Sequence, residues 1–162
     1  MELPRRKNIR LKDYNYRQNG AYFITICAKD RLNLFGEIVG AALAPPDNTS
    51  KICLTECGKN VKTHIESLHK HYDEIFIDKY IIMPNHIHMI IVINTGGASA
   101  APTLGNLVRG FKAGSSRECG FSLWQRSYYD CIIRNEDDYL RIWKYIDENP
   151  ANWTLDKYFT ST

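Results

Sequence analysis

His86 and His88 stand one residue apart in a run rich in β-forming side chains. On an extended strand, positions i and i+2 point to the same face, about 6–7 Å apart. Two imidazoles so placed can converge on one divalent cation. A bare pair of this kind is more often a pair of histidines satisfied by hydrogen bonds. What strengthens it here is its place, directly after the two-residue turn Pro84-Asn85, at a sheet end where a site can open to solvent. A second constellation is Tyr145-Ile-Asp-Glu-Asn149, in which Tyr145 and Asn149 are i and i+4 neighbours on a helix face. Tyr139, Ile142, Trp143 and Ile146 form the apolar stripe of that helix. At about 100° per residue, Tyr145 falls about 120° from Tyr139, on the flank with Asn149 and Asp138.

The two constellations suit one reaction. A tyrosine phenolate attacks phosphorus and leaves a covalent phosphotyrosine that conserves the bond energy. A free phenol has a pKa near 10 and needs assistance. A divalent ion held by two histidines and an amide or carboxylate oxygen would polarise a phosphate and offset developing charge. Asn149 is the candidate third ligand, and such a donor set suits Mg2+ or Mn2+ with water filling the remaining positions.

Several elements must position these groups. Asn19-Gly20 is a turn signal before the strand Ala21–Cys27, and a short strand follows near Leu34–Val39. Residues 44–50 read as a loop. Thr55 is a plausible N-cap for a helix to about Lys70, with Val61, Ile65 and Leu68 at helical spacing. Ile75–Met83 and His86–Ile93 form a hairpin. In its second strand, His86, His88, Ile90 and Val92 share one face, and Ile87, Met89, Ile91 and Ile93 the other. Apolar residues on both faces mark an interior strand. Residues 94–102 form a loop, and Leu104 to about Cys119 is helical although Gly105, Gly110 and Gly114 weaken the pattern. Tyr128–Arg134 is a strand, Asn135 caps a final helix and Pro150 ends it. Two helices separated by a hairpin in an antiparallel sheet predict a ferredoxin-like α+β fold.

The chain has 162 residues, 44% hydrophobic and 24% charged, enough for one core and no second large domain. Its net charge of +3 neither announces nor excludes a polyanion partner. The distribution is uneven: residues 1–31 carry +5 and 105–126 carry +3, against −2 over 32–104 and −3 over 127–162. A basic arm and a basic central stretch could form one patch, and a solvated surface explains them equally. Five cysteines, with no CxxC and no leader peptide, read as reduced intracellular thiols. Cys53 and Cys57 with His64, His69 and His71 match no standard zinc spacing. The apolar run Met89–Ile93 is too short to span a bilayer.

Four stretches resemble one family in the right order. They are Asn19-Gly20-Ala21-Tyr22-Phe23-Ile24-Thr25-Ile26-Cys27, Ile82-Met83-Pro84-Asn85-His86-Ile87-His88, Trp124-Gln125-Arg126-Ser127-Tyr128-Tyr129-Asp130 and Tyr145-Ile146-Asp147-Glu148-Asn149-Pro150. They are similar to the single-tyrosine HUH transposases, which include the REP-associated tyrosine transposases. The resemblance covers residues 8–153. It implies a ferredoxin-like HUH domain that cuts and joins single-stranded DNA, often beside a hairpin. His86, His88 and Asn149 would hold Mg2+ or Mn2+. Tyr145 would be the nucleophile, giving a 5′-phosphotyrosine and a free 3′-hydroxyl. A homodimer and a bacterial cytoplasmic, nucleoid-associated location are implied, and no membrane partner. The alternative is a DNA-binding relative that no longer transposes. Many relatives carry His where this chain has Cys131, so no role is assigned to Cys131.

The expected organisation is a basic arm at 1–18, one catalytic domain at 19–153 and a C-terminal tail at 154–162. Arg109, Lys112 and Arg117 on the second helix, Arg126 beside Trp124, and Arg5, Arg6, Lys7 and Arg10 in the arm are candidate DNA contacts. For each, a solvated surface charge is as good a reading.

Overall fold

A computed structural model of the chain describes residues 20–40, 50–94 and 102–161. The arm cations Arg5, Arg6, Lys7 and Arg10 lie outside the described residues, as does most of the loop expected at 44–50. β1 (Gly20–Cys27) leads through a 3-10 turn at Lys29–Arg31 to β2 (Gly36–Val39), β3 (Lys51–Leu54) and α1 (Glu56–Glu66). A single turn, α2 (Leu68–His71), precedes β4 (Ile75–Met83) and β5 (His86–Ile93). Then come α3 (Leu104–Cys119), β6 (Tyr129–Ile133), α4 (Glu136–Glu148) and a 3-10 turn at Trp153–Leu155.

β4, β5, β1 and β6 form one antiparallel sheet in that spatial order, and β2 pairs with β3 as a separate ribbon. This is the expected α+β arrangement, with the β4–β5 hairpin lying between helices in the chain and next to β1 in the sheet. The period-2 pattern divides the core. Tyr22, Ile24 and Ile26 of β1 and Ile87, Met89, Ile91 and Ile93 of β5 pack with α1 and α3 on one face. Phe23 and Ile90 pack with Ile142 and Ile146 of α4 on the other. Burying a side chain such as Ile146 completely contributes about 1.5–3 kcal/mol, so these faces fix how the helices sit.

Caps and glycines set the helix positions. The Thr55 hydroxyl accepts from the Gly58 N–H at 3.0 Å and donates to the Leu34 carbonyl at 2.7 Å. A Cβ at Gly58 would lie 2.0 Å from the Phe35 carbonyl oxygen, so only glycine allows α1 to start against that backbone. The expected helix to Lys70 is interrupted. Ser67 donates its hydroxyl to the His64 carbonyl, and the chain turns into α2. The four-residue β3 escaped sequence reading because so short a run carries little periodicity. α3 spans Leu104–Cys119 despite its glycines. A Cβ at Gly114 would come within 3.1 Å of His64, so the missing side chain lets α3 approach α1. Asn135 caps α4 by accepting from the Asp138 N–H at 2.8 Å. Trp143, expected in the apolar stripe of α4, is instead 39% exposed. Among the described residues, no helix is long and apolar enough to cross a membrane.

Candidate active site

His86 and His88 open β5 on the face covered by α4, and both are buried. Sheet register places Thr25 directly opposite His88 and Cys27 opposite His86. The Thr25 oxygen lies 2.8 Å from His88 Nδ1. His86 Nδ1 lies 2.8 Å from the Asn85 side-chain oxygen. The Asn85 amide cannot be turned over without loss, because its nitrogen donates to the Tyr158 carbonyl at 2.8 Å and the Arg31 carbonyl at 3.3 Å. Its oxygen therefore faces His86 and accepts from Nδ1–H, which leaves Nε2 with a free lone pair. The same tautomer follows for His88 when its Nδ1–H donates to Thr25.

The two Nε2 atoms stand 3.1 Å apart. Two lone pairs at that separation repel unless a cation or proton lies between them. Burial disfavours the proton: it lowers His86 to about 4, against the opposing pull of Asp156, and lowers His88 well below its ordinary value. At neutral pH both rings are therefore neutral ligands aimed at one point.

Oxygen donors complete the cluster. His86, His88 and Asp156 each offer a ligand atom within 4.8 Å of the others. The Asp156 side chain is only 2% exposed, and its Oδ2 lies 4.0 Å from His86 Nε2. The Asn149 amide nitrogen donates to that same oxygen at 3.0 Å. Asn149 is buried with its side chain towards His86, and among the described residues its Oδ1 has no hydrogen bond of good geometry. An orphaned buried carbonyl oxygen costs about 1–3 kcal/mol. Two imidazole nitrogens, a carboxylate and a spare amide oxygen make a donor set that fits a divalent cation.

Tyr145 projects from α4 beside this cluster. Its ring stands edge-on to Phe23 with centroids 6.1 Å apart, and 5.2 Å from the His88 ring. It is 40% exposed, on the flank of α4 where helical phase put it. Burial raises its pKa, the Asp156 charge adds to that, and a hydrogen bond with Asn149 opposes both. A cleft of about 740 Å3 opens here between β6 and α4. His88, Tyr145, Asn149 and Asp156 line it together with Arg134, Arg141 and Lys157. Cys131 also lines the cleft, and burial raises its thiol pKa.

His86, His88, Tyr145 and Asn149 are thus brought together. Among the described residues, the basic candidates Arg109, Lys112, Arg117 and Arg126 are not. α3 covers the opposite face of the sheet from α4, so Arg109 and Arg117 are exposed on the far side. The Lys112 ammonium is half-buried and donates to the Gln125 and Ser127 carbonyls at 2.7 and 3.0 Å. Arg126 is exposed beside Lys29, and Trp124 is core, its indole N–H donating to Ser115. Sequence reasoning missed Asp156, which lies past Pro150 with no periodic relation to the histidines. It also missed Thr25, which only register brings to His88, and the cleft cations Arg134, Arg141 and Lys157.

An uncharacterized protein of Haemophilus influenzae is 38% identical over 179 aligned positions, which cover 97% of this chain and 94% of that one. No family model matches. Among solved structures, a REP-associated tyrosine transposase bound to a REP hairpin superposes with a TM-score of 0.64 at 19% identity. That alignment covers 89% of this chain and 74% of the other. A putative transposase from Deinococcus radiodurans aligns at 16% identity over 86% of this chain and 95% of its own, with a TM-score of 0.48.

Proposed function

Because the chain belongs to the same family as the Haemophilus influenzae protein and has the fold of a REP-associated tyrosine transposase, we propose that it is a divalent-metal-dependent transposase that nicks and rejoins single-stranded DNA. One observation carries the reading: Tyr145 sits 5.2 Å from a buried histidine whose Nε2 converges with a second histidine and a carboxylate, and the Asn149 amide holds that carboxylate. A structural histidine pair needs no buried carboxylate beside it and no tyrosine at its edge.

Tyr145 Oη forms a bond to the scissile phosphorus as the bond to the 3′ oxygen breaks. The products are a 5′-phosphotyrosine and, once solvent protonates the leaving oxygen, a 3′-hydroxyl. The phenolic proton departs through the open cleft. Rejoining reverses the exchange when a 3′-hydroxyl attacks the phosphotyrosine. His86, His88, Asn149 and Asp156 would hold Mg2+ or Mn2+, which when bound supplies Lewis-acid polarisation of the phosphate and neutralises the departing oxygen. Asn85 and Thr25 hold the two histidines in the ligand tautomer. Arg134, Arg141 and Lys157 line the cleft beside Tyr145 and receive the strand's phosphates.

A DNA hairpin beside the cut is the natural substrate form, by analogy with the hairpin held by the structural relative. A homodimer would bring two such sites together for joining. The test incubates the protein with single-stranded hairpin DNA and Mn2+ or Mg2+, then resolves covalent adducts on a denaturing gel. The adduct is expected in wild type and absent in Tyr145→Phe. An adduct that survives Tyr145→Phe refutes the nucleophile, and no adduct with either metal refutes the enzyme.

A further inference from the structure

α4, the helix that carries Tyr145, meets the edge strand β4 at a point where the sheet is irregular. The β4–β5 register shifts between Ile77 and Lys79, leaving Asp78 as the extra residue of a bulge. A bulge re-aims the side chains on either side of it. Here both Asp78 and Lys79 reach α4. The Tyr139 hydroxyl donates to the Asp78 carboxylate. The Lys79 ammonium pairs with Asp147 at 2.7 Å and lies 3.4 Å from the centre of the Trp143 ring. These contacts sit on either side of Tyr145 in the helix, Tyr139 and Trp143 before it and Asp147 after it.

The rest of the α4 footing is small. Only Ile142 and Ile146 of the helix are buried. Two side chains fix the height of a helix over a sheet but resist rolling about its axis weakly. The Lys79 ion pair and ring contact lie to one side of that stripe, where they oppose a roll. The Lys79 side chain is 20% exposed and Asp147 58%, so the ion pair is only half-shielded from water and the contact over the Trp143 ring adds to it. A roll of α4 by one residue's arc would carry the Tyr145 ring away from His88, although both belong to one chain.

We propose that the β4 bulge is a clasp, in which Lys79, holding Trp143 and Asp147, and Asp78, holding Tyr139, are positioning residues that set the rotation of α4. The inference rests on Tyr145 as the nucleophile. It predicts that the site is assembled within a single chain.

The experiment compares wild type with Lys79→Ala, Tyr139→Phe and the double variant. The first readout is hydrogen exchange of the α4 amides, which needs no activity. The double variant should exchange about tenfold faster across α4, with β5 and α3 unchanged. Single-turnover adduct formation should fall about 10- to 100-fold, with Mn2+ affinity and single-stranded DNA affinity at wild-type values. Lys79→Arg, which keeps a cation over Trp143 and a partner for Asp147, should restore most of the rate. Mixing Tyr145→Phe with His86→Ala should give no adduct, because neither chain has a complete site.

Unchanged α4 exchange in the double variant overturns the clasp. Faster exchange with an unchanged adduct rate overturns the positioning role. An adduct from the mixed variants overturns assembly in one chain. If wild type forms no adduct while α4 exchange still rises, the nucleophile reading has failed and the clasp is structural only, which overturns the positioning role as well.

Discussion

Thr25→Val tests the claim that hydrogen bonding prepares the histidines for a metal. Valine matches threonine in shape and removes only the hydroxyl. Thr25 is 2% exposed, and its oxygen lies 2.8 Å from His88 Nδ1. In the variant, Nδ1–H has no acceptor in a buried site, which costs about 1–3 kcal/mol if that tautomer is kept. The cheaper course is to move the proton to Nε2, where it faces the His86 Nε2 only 3.1 Å away and forms a hydrogen bond between the rings. That tautomer closes the site to a cation. Loss of such a supporting bond weakens metal binding about 10- to 100-fold, or about 1.4–2.7 kcal/mol. Calorimetric titration with Mn2+ measures it directly. Thr25→Ser restores the hydroxyl and should restore most of the affinity. An unweakened Mn2+ affinity in a folded Thr25→Val protein would refute the tautomer argument.

Three further outcomes follow from particular residues. Asp156→Ala should weaken Mn2+ binding more than Asn149→Ala, because it removes the cluster's carboxylate; a loss confined to Asn149→Ala would leave the amide as sole oxygen ligand. The metal-free protein should lose stability in acid. His86 falls from 6.5 to about 4 on folding, so its contribution is complete above pH 6.5 and is lost as pH falls towards 4, at most about 3 kcal/mol in denaturant melts. A flat profile over that range would contradict a buried neutral His86. The Cys57 and Cys119 sulfurs lie 3.1 Å apart, joining α1 to α3 across 62 residues. Oxidation by excess glutathione disulfide should form the cross-link and raise stability by about 4 kcal/mol, read as a higher melting temperature that reductant reverses. Burial and Cys119 push the Cys57 thiol up to about 12, so the exchange should be slow near neutral pH.

Local pattern carried much of the fold. The β-forming runs Ala21–Cys27 and His86–Ile93, the Pro84-Asn85 turn and the Thr55 and Asn135 caps each depend on neighbours along the chain, and each element forms where those residues stand. Pattern failed where contacts across the fold outweigh it. Ser67 bonds back to His64 and breaks a helix that periodicity would continue. Gly114 fits against His64 and keeps a helix that propensity would weaken.

The same division runs through the site. The i, i+2 spacing of His86 and His88, and the i, i+4 spacing of Tyr145 and Asn149, were legible because strand and helix geometry alone put each pair on one face. Which face meets which was not legible. The charge split along the chain said nothing of where α3 would lie, and the core sends α3 to one side of the sheet and Tyr145 to the other. Thr25 reaches His88 only through strand register, and Asp156 reaches His86 only because the segment after α4 folds back over the sheet end. Spacing along one element is a property of that element's own geometry. Convergence of β1, β5, α4 and the residues beyond it depends on register and packing between parts distant in the chain.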